Sequence, residues 1–331
     1  MINVSVLVPV YGVEKYIERC ARSLFEQTMQ DGIEFIFTND CTKDRSIEIL
    51  KSVLDEYPHR KTQVKIINHE KNQGLAVSRV TGLNAAGGEY IAHCDSDDWV
   101  EPDMYGLMYR TAKEKDADVV VCDFFNEYQS HSKAVSQEFS LSKEDAVLSM
   151  VFHNGKQYGY MWNRLVRRDF YLMDKDWKCP ESISWGEDIV VTIPQFARAG
   201  ITAGLERPLY HYNCANTGSM TARLSERYIF SAVNAYAHIK SLLPAANISW
   251  QLALDNRIAW YADTMIHSTG NYNPDLWREK FAGSTSRINR PLRQRISKYF
   301  IQHKLDKINY VYVKMVEMLV DIKHSLHLNK S

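Results

Sequence analysis

Asp95-Ser96-Asp97-Asp98-Trp99 sets two carboxylates two residues apart, directly after the apolar stretch Tyr90 to Cys94. At a strand end, side chains at that spacing leave the pleat and converge on one hard cation. A Mg²⁺ or Mn²⁺ ion held by one or two carboxylates keeps positions open for phosphate oxygens. An acidic loop, or a helix cap ahead of Pro102, is the plainer reading of so short a pattern. A second acidic pair, Glu187-Asp188 behind Trp185-Gly186, opens a helical pattern with apolar positions at Ile189, Val190, Ile193 and Phe196. Acidic residues there stabilise a helix N-terminus. A carboxylate beside another carboxylate and an apolar wall also has its pKa pushed upward, which suits a general base.

Two further stretches are polar at strand ends. In Thr38-Asn39-Asp40-Cys41-Thr42-Lys43-Asp44, Asp40 is placed to accept a ring N–H from a base, and Asp44 to cap a helix. In Asn72-Gln73-Gly74-Leu75-Ala76-Val77-Ser78-Arg79, Gly74 permits a tight entry and Arg79 sits about a turn into a helix. Arg79 can reach a diphosphate, buttress a carboxylate or form a structural ion pair.

The elements that must position these residues alternate in period. Val4–Val8, Ile33–Thr38, Val64–Asn68, Tyr90–Cys94 and Val119–Phe124 are strand-like. Val13, Tyr16, Ile17, Cys20, Ala21 and Leu24 fall on one helical face. Ile47, Leu50, Leu54 and Tyr57 mark a second helix, and Leu75 to Ala86 a third, closed by Gly87-Gly88. This alternation predicts a mostly parallel sheet flanked by helices, with a ligand crevice beyond the carboxyl ends of its strands. The crevice loops are then Pro9–Gly12, Asn39–Asp44, Asn68–Gly74 and Asp95–Trp99. Residues from about 140 to 220 are less regular and rich in aromatics. Helical spacing dominates from about 222 onward.

With 331 residues, two domains are expected. Forty Lys+Arg balance forty Asp+Glu, so no global basic field exists for nucleic acid. No run of about 18 apolar residues suits a membrane span. The six cysteines include no C-x-x-C, arguing against zinc and for reduced thiols in a cytoplasmic protein. Residues 280–331 carry 11 Lys+Arg against 3 Asp+Glu. Tyr310, Val313, Val316, Met318, Leu319, Val320 and Ile322, with Lys314 and Lys323, suit either a basic amphipathic helix on an anionic bilayer or a helix packed on the first domain with a solvated basic face.

Together these blocks resemble the family 2 glycosyltransferases of GT-A fold. The resemblance covers about 1–220. It rests on Val4 through Ile17, Ser23-Leu24-Phe25-Glu26-Gln27-Thr28, Asn39 through Asp44, Asn72 through Arg79, Gly82 through Ile91, and Asp95-Ser96-Asp97-Asp98. Trp162-Asn163-Arg164-Leu165, Gly186-Glu187-Asp188, and Asn213 with Gly218-Ser219 resemble the later motifs. Gly12 stands where that family has Asn, Asn39 where it has Asp, and Cys41 where it has Gly, which bears on the fine geometry of the base-binding loop.

The resemblance implies an α/β GT-A catalytic domain over 1–220, and the helical spacing beyond it predicts a helical C-terminal extension over 221–331. It implies metal-dependent, inverting transfer of a sugar from a nucleotide diphosphate sugar, most often a UDP-sugar, to a saccharide or lipid-linked acceptor in bacterial surface-polysaccharide synthesis. Carried over residue by residue, Pro9, Tyr11, Asp40, Arg79, Asp95 and Ser96 bind the nucleotide sugar. Asp97, with Asp95, holds Mn²⁺ or Mg²⁺. Asp188 is the general base with Glu187 beside it. Trp162, Asn163 and Trp185 face donor sugar or acceptor. The expected partners are the donor and acceptor, with no nucleic acid; peripheral contact at the inner face of the membrane and a homo-oligomer stay open. A catalytically silent sugar-binding subunit of a synthase is the alternative.

Overall fold

The computed structural model describes residues 1–172, 183, 186–216, 226–267, 272–281 and 292–328. The chain divides into two compact units. Met1–Glu181 and Glu187–Ser219 form the first; Ser182–Gly186 and Met220–Ser331 form the second.

The first unit is built on a nine-stranded sheet. Its first half is β1 (Val4–Val10), α1 (Ile17–Phe25), β2 (Ile33–Asn39), α2 (Ser46–Glu56), β3 (Val64–Asn68), α3 (Leu75–Asn84) and β4 (Tyr90–His93). Every residue of β1 is buried, as expected of a central parallel strand covered on both faces. Val4, Val6, Val8 and Val10 share one face at period two and pack with Ile17, Cys20 and Leu24 of α1 and Phe35 and Phe37 of β2. Each such side chain contributes about 1.5–3 kcal/mol on burial. The apolar face that begins at Val13 enters α1 only at Ile17; Val13 lies in the turn before it, accepting from the amides of Tyr16 and Ile17.

Next come β5 (Trp99–Val100), α4 (Met104–Glu114), β6 (Val119–Glu127), β7 (Ser132–Val135), α5 (Lys143–Phe152), β8 (Arg164–Arg167), α6 (Asp169–Leu172), α7 (Glu187–Arg198) and β9 (Thr202–Asn213). The strand order is β3-β2-β1-β4-β8-β6-β9-β5, with β7 on β6. The β1/β2, β1/β4, β2/β3 and β6/β9 pairs are parallel, whereas β8 runs against β4 and β6, β5 against β9, and β7 against β6. The sheet is therefore mixed α/β, with a shared direction through most strands. The irregular middle of the sequence supplies β8, inserted between β4 and β6, and the long strand β9.

This topology positions the loops. Val10 pairs with Asn39, Asn39 with Asn68, and Leu7 with His93, so the carboxyl ends of β1 to β4 lie along one edge. The β5/β9 pairing, Trp99 with His211 and Val100 with Tyr210, carries residues 210–216 to the same acidic loop.

The second unit is helical: α8 (Glu226–Leu242), α9 (Ile248–His267), α10 (Pro274–Phe281), α11 (Leu292–Gln302) and α12 (Asp306–Leu328). Tyr236 of α8 stacks on Tyr261 of α9 at 5.7 Å. Trp277, fully buried, donates its indole N–H to Asp263 at 3.1 Å. Asn309 of α12 donates to the Ile266 carbonyl at 2.7 Å, and Arg278 grips both oxygens of Asp306. Among the described residues no helix is long and apolar enough to cross a membrane.

Candidate active site

Gly74 caps the start of α3 at φ +89°, a conformation that favours glycine. The helix then carries Arg79 inward, where three carboxylates from two distant segments meet it. Its Nη2 donates to Asp95 at 2.9 Å, and its Nη1 to Glu187 at 3.0 Å and Asp188 at 2.9 Å. Burial pulls the guanidinium down, but Asp188, Asp95 and Glu187 outweigh it and its pKa is raised. Of the readings open for Arg79, these are carboxylate contacts. Arg79 and Glu187 also line a small pocket walled by Val80, Leu83, Met161 and Val191. His93, in the same wall, is held well below the ordinary histidine range by burial and by Arg79.

Asp188 keeps 22% of its side chain exposed, enough for a hydroxyl to reach it. Burial pushes its pKa up to about 7; Arg79 opposes that, while Glu187 and Asp95 add to it. A carboxylate poised near neutrality can take a proton from an attacking hydroxyl.

The acidic loop is clamped from beneath by β9 and the turn after it. Asp98 is fully buried; its Oδ2 accepts from the Tyr210 hydroxyl at 2.7 Å and its Oδ1 from the Asn213 amide at 2.7 Å. The same Tyr210 oxygen accepts from the Asp95 amide at 3.0 Å. Arg19 and Asn213 donate to the Asp97 carbonyl, each at 3.2 Å. Arg19 also lies over the Trp99 ring at 3.4 Å. Burial, with Asp97 and Asp95 adding, holds Asp98 well above the usual carboxylate range.

Asp97 is raised too, by burial and then by Asp95, and its Oδ2 accepts from the neutral Asn216 amide at 2.8 Å. Asp95 and Asp97 are hard oxygen donors whose crowded charge a divalent cation relieves, so this pair fits Mg²⁺ or Mn²⁺. Among the described residues no three acidic, histidine or cysteine side chains converge into a ready-made cage. Phosphate oxygens and water must then complete such a site.

Along the same edge, Pro9 is buried within β1 and Ser96 is buried in the acidic loop, while Tyr11 is 54% exposed. Asp40 is buried. Its Oδ1 accepts from the Gln73 amide and faces His69 Nδ1, and its Oδ2 accepts from the Gly74 amide, all at 2.8 Å. Only part of its acceptor capacity is left for a base. Asp44 accepts from Ser46 at the start of α2 and also from the Glu14 amide, tying the first two loops together. Cys41 takes φ +58°, the left-handed conformation that glycine adopts more easily.

Trp162 and Asn163 both lie in the core. Trp162 is 3% exposed, stacked near-parallel with Tyr160, Tyr210 and Tyr212 in the core. Its large apolar surface packs against those rings. Asn163 is fully buried, and its Nδ2 donates to the Cys122 carbonyl at 3.0 Å. Trp185 lies outside the described residues. Asp98, Tyr210, Asn216, Arg19 and His69 were missed. Asp98 stood within the acidic motif, and His69 at a strand end on the crevice edge; the other three carry no local signal.

The family described as "Glycosyl transferase family 2" matches residues 5–175. EpsH of Bacillus subtilis (strain 168) is 34% identical over 238 residues, 70% of this chain and 67% of that protein. The glycosyltransferase GlyA of Streptococcus pneumoniae is 26% identical over 342 residues, 99% of this chain but 47% of that protein, so the chain spans about half of this relative. In structure, TarS 1-349 of S. aureus, solved with UDP-GlcNAc, superposes with a TM-score of 0.67 at 18% identity, covering 96% of this chain and 92% of that one.

Proposed function

The chain belongs to glycosyl transferase family 2 and is a glycosyltransferase of GT-A fold; from that premise we propose that it moves a hexosyl or N-acetylhexosaminyl group, with inversion, from a nucleoside diphosphate sugar to a saccharide or lipid-linked hydroxyl. UDP is the favoured nucleotide, and bacterial surface-polysaccharide synthesis the favoured setting. The observation that carries the reading is the single Arg79 guanidinium shared by Asp95 and Asp188. It sets the acidic loop and the opening of α7 within one side chain's reach of each other.

In this reading Asp188 takes the acceptor hydroxyl's proton as the oxygen attacks the anomeric carbon. A base on the face opposite the leaving group yields an inverted product. Glu187 shares Arg79 with Asp188 and keeps the local charge negative, which favours a proton-hungry base. Tyr11 offers an exposed ring for the nucleobase to stack on, with Asp40 supporting the adjoining loop and its remaining lone pair turned to base recognition. Pro9 and Ser96 complete the nucleotide wall. Asp97 and Asp95 would hold Mg²⁺ or Mn²⁺, and a cation there neutralises charge on the departing diphosphate. Arg79 keeps the Asp95 carboxylate in place for that contact.

A thermal-shift screen of UDP-, GDP- and ADP-sugars, with and without Mn²⁺, tests the proposal. Metal-dependent stabilisation by one nucleotide class, UDP foremost, is expected. Failure of every nucleotide sugar to raise Tm overturns it.

A further inference from the structure

The small pocket that Arg79 and Glu187 line is apolar over most of its wall, with Ala76, Val80 and Leu83 from α3, Met161 ahead of β8, and Val191 from α7. Two of its lining residues each keep a buried nitrogen with no hydrogen-bond partner among the described residues: Nδ1 of His93 and Nε of Arg79. His93 is 2% exposed and Arg79 5%. The other ring nitrogen of His93 is engaged by the Tyr171 hydroxyl at 3.2 Å. A buried polar atom left unsatisfied is costly, so a ligand that meets both nitrogens gains what the free protein forgoes.

The lining defines the group that fits. Arg79 Nε–H only donates, so it calls for an acceptor. His93 Nδ1 takes an N–H or gives one to a carbonyl, according to its tautomer. A carboxylate is a poor match, because three already crowd the same guanidinium. A lone hydroxyl leaves the aliphatic wall facing water. A secondary amide ending in a methyl meets each demand: a carbonyl oxygen and an N–H for the two nitrogens, and a methyl for Val80, Leu83, Met161 and Val191.

Position says where on the donor that amide sits. Arg79 bonds Asp95 through one nitrogen and Asp188 through another. The anomeric carbon must lie between the departing diphosphate and the attacking hydroxyl, and so falls against this guanidinium. C2 is bonded to the anomeric carbon, and its substituent is the one brought nearest to the pocket.

We propose that this pocket receives the 2-acetamido group of the donor sugar, so that the chain takes an N-acetylhexosamine in preference to a plain hexose. The assignment rests on the transferase reading and deepens it.

Titration calorimetry of the full chain with Mn²⁺ tests it, using UDP alone and two pairs of donors: UDP-N-acetylglucosamine against UDP-glucose, and UDP-N-acetylgalactosamine against UDP-galactose. In at least one pair the acetamido donor should bind about tenfold or more tighter than its 2-hydroxyl counterpart. Ala76→Met places a longer side chain, well tolerated in a helix, at a half-buried position of the pocket wall. It should cut that preference to about threefold or less, with UDP affinity within about twofold of wild type and an unchanged circular dichroism spectrum. Equal affinity within both pairs, with UDP itself bound, overturns the pocket assignment and leaves the transferase reading standing; the pocket then takes water. An acetamido preference untouched by Ala76→Met places that group elsewhere and overturns the assignment too. A chain that binds no UDP counts against the donor reading itself, and the pocket assignment falls with it.

Discussion

Arg79 reaches Asp188 across 109 positions of the chain and holds it at 2.9 Å, in a wall where one cation faces three carboxylates. The pair sets the charge state of the candidate base. Burial raises Asp188 from 3.8 to about 7, and Arg79 is the main influence holding it down.

Removing that cation by Arg79→Gln should move the rising limb of kcat/KM, expected near pH 7 in wild type, to higher pH. The base works only when deprotonated, and its charged form has lost its partner. Stability carries its own sign. The folded pKa of Asp188 lies above the unfolded value of 3.8. Folded protein therefore holds the extra proton between about pH 4 and 7, and stability from this group falls as pH rises through that window. The variant should lose about 3–5 kcal/mol at neutral pH, as broken buried pairs do, and less in acid. Urea melts at several pH values, beside a pH–rate profile, would check both. An unshifted limb would show that Arg79 does not tune the base.

Asp188→Asn keeps the size of the side chain and removes its basicity. Arg79 retains Asp95 and Glu187 as partners, so the fold should hold. Turnover is expected to fall by about 10²–10⁴-fold, with UDP affinity by calorimetry within a factor of about two. Near wild-type turnover would remove Asp188 from the role of base.

Asp97→Ala deletes one of two hard donors. UDP binding in the presence of Mn²⁺ should weaken by at least about tenfold, while binding in EDTA changes little. Titration calorimetry under both conditions separates these outcomes, and equal affinity with Mn²⁺ would exclude Asp97 as a ligand.

Much of this was legible in residue types, and the illegible part has a physical cause. β1, β2 and β4 read clearly because they are buried almost throughout and so mostly apolar. β9 did not, because Glu206, Arg207 and Pro208 break its pattern where register shifts interrupt its pairing with β6. Asp95, Asp97 and Asp188 stood out as carboxylates at element ends. Nothing local said that Asp98, beside them, would be sealed under Tyr210 and Asn213, since those partners lie more than a hundred residues on. Trp162 and Asn163 show the opposite difficulty. An aromatic-amide pair suits sugar binding and core packing equally, and the tertiary neighbours Tyr210 and Cys122, which pack and bond with them, carry no local signal in the sequence.

Cys41 holds a left-handed φ of +58° with a β-carbon attached. That conformation costs an ordinary residue about 1–2 kcal/mol, partly offset in glycine by the freedom of its unfolded chain. Cys41→Gly should therefore stabilise the protein by about 0.5–1 kcal/mol, seen as a higher urea midpoint at constant slope. A lower midpoint would mean that the thiol's contact with the Glu70 carbonyl, at 3.5 Å, outweighs the backbone strain.

Tyr210→Phe removes one oxygen and two hydrogen bonds, those to the Asp95 amide and to Asp98. Its ring stays stacked on Trp162 at 4.4 Å, so packing should survive. The orphaned amide and carboxylate should cost about 1–3 kcal/mol. Asp98, already raised by burial, loses a donor that holds it down and should take up a proton more readily still. The acidic loop then loses the tie that fixes Asp95 relative to Asp98. The Mn²⁺ concentration for half-maximal transfer should rise by about tenfold, with turnover at saturating Mn²⁺ within about threefold of wild type. A merely structural hydroxyl would lower Tm without moving the Mn²⁺ requirement. That split, measured on one preparation, decides whether the clamp beneath the loop serves the cation site or only the fold.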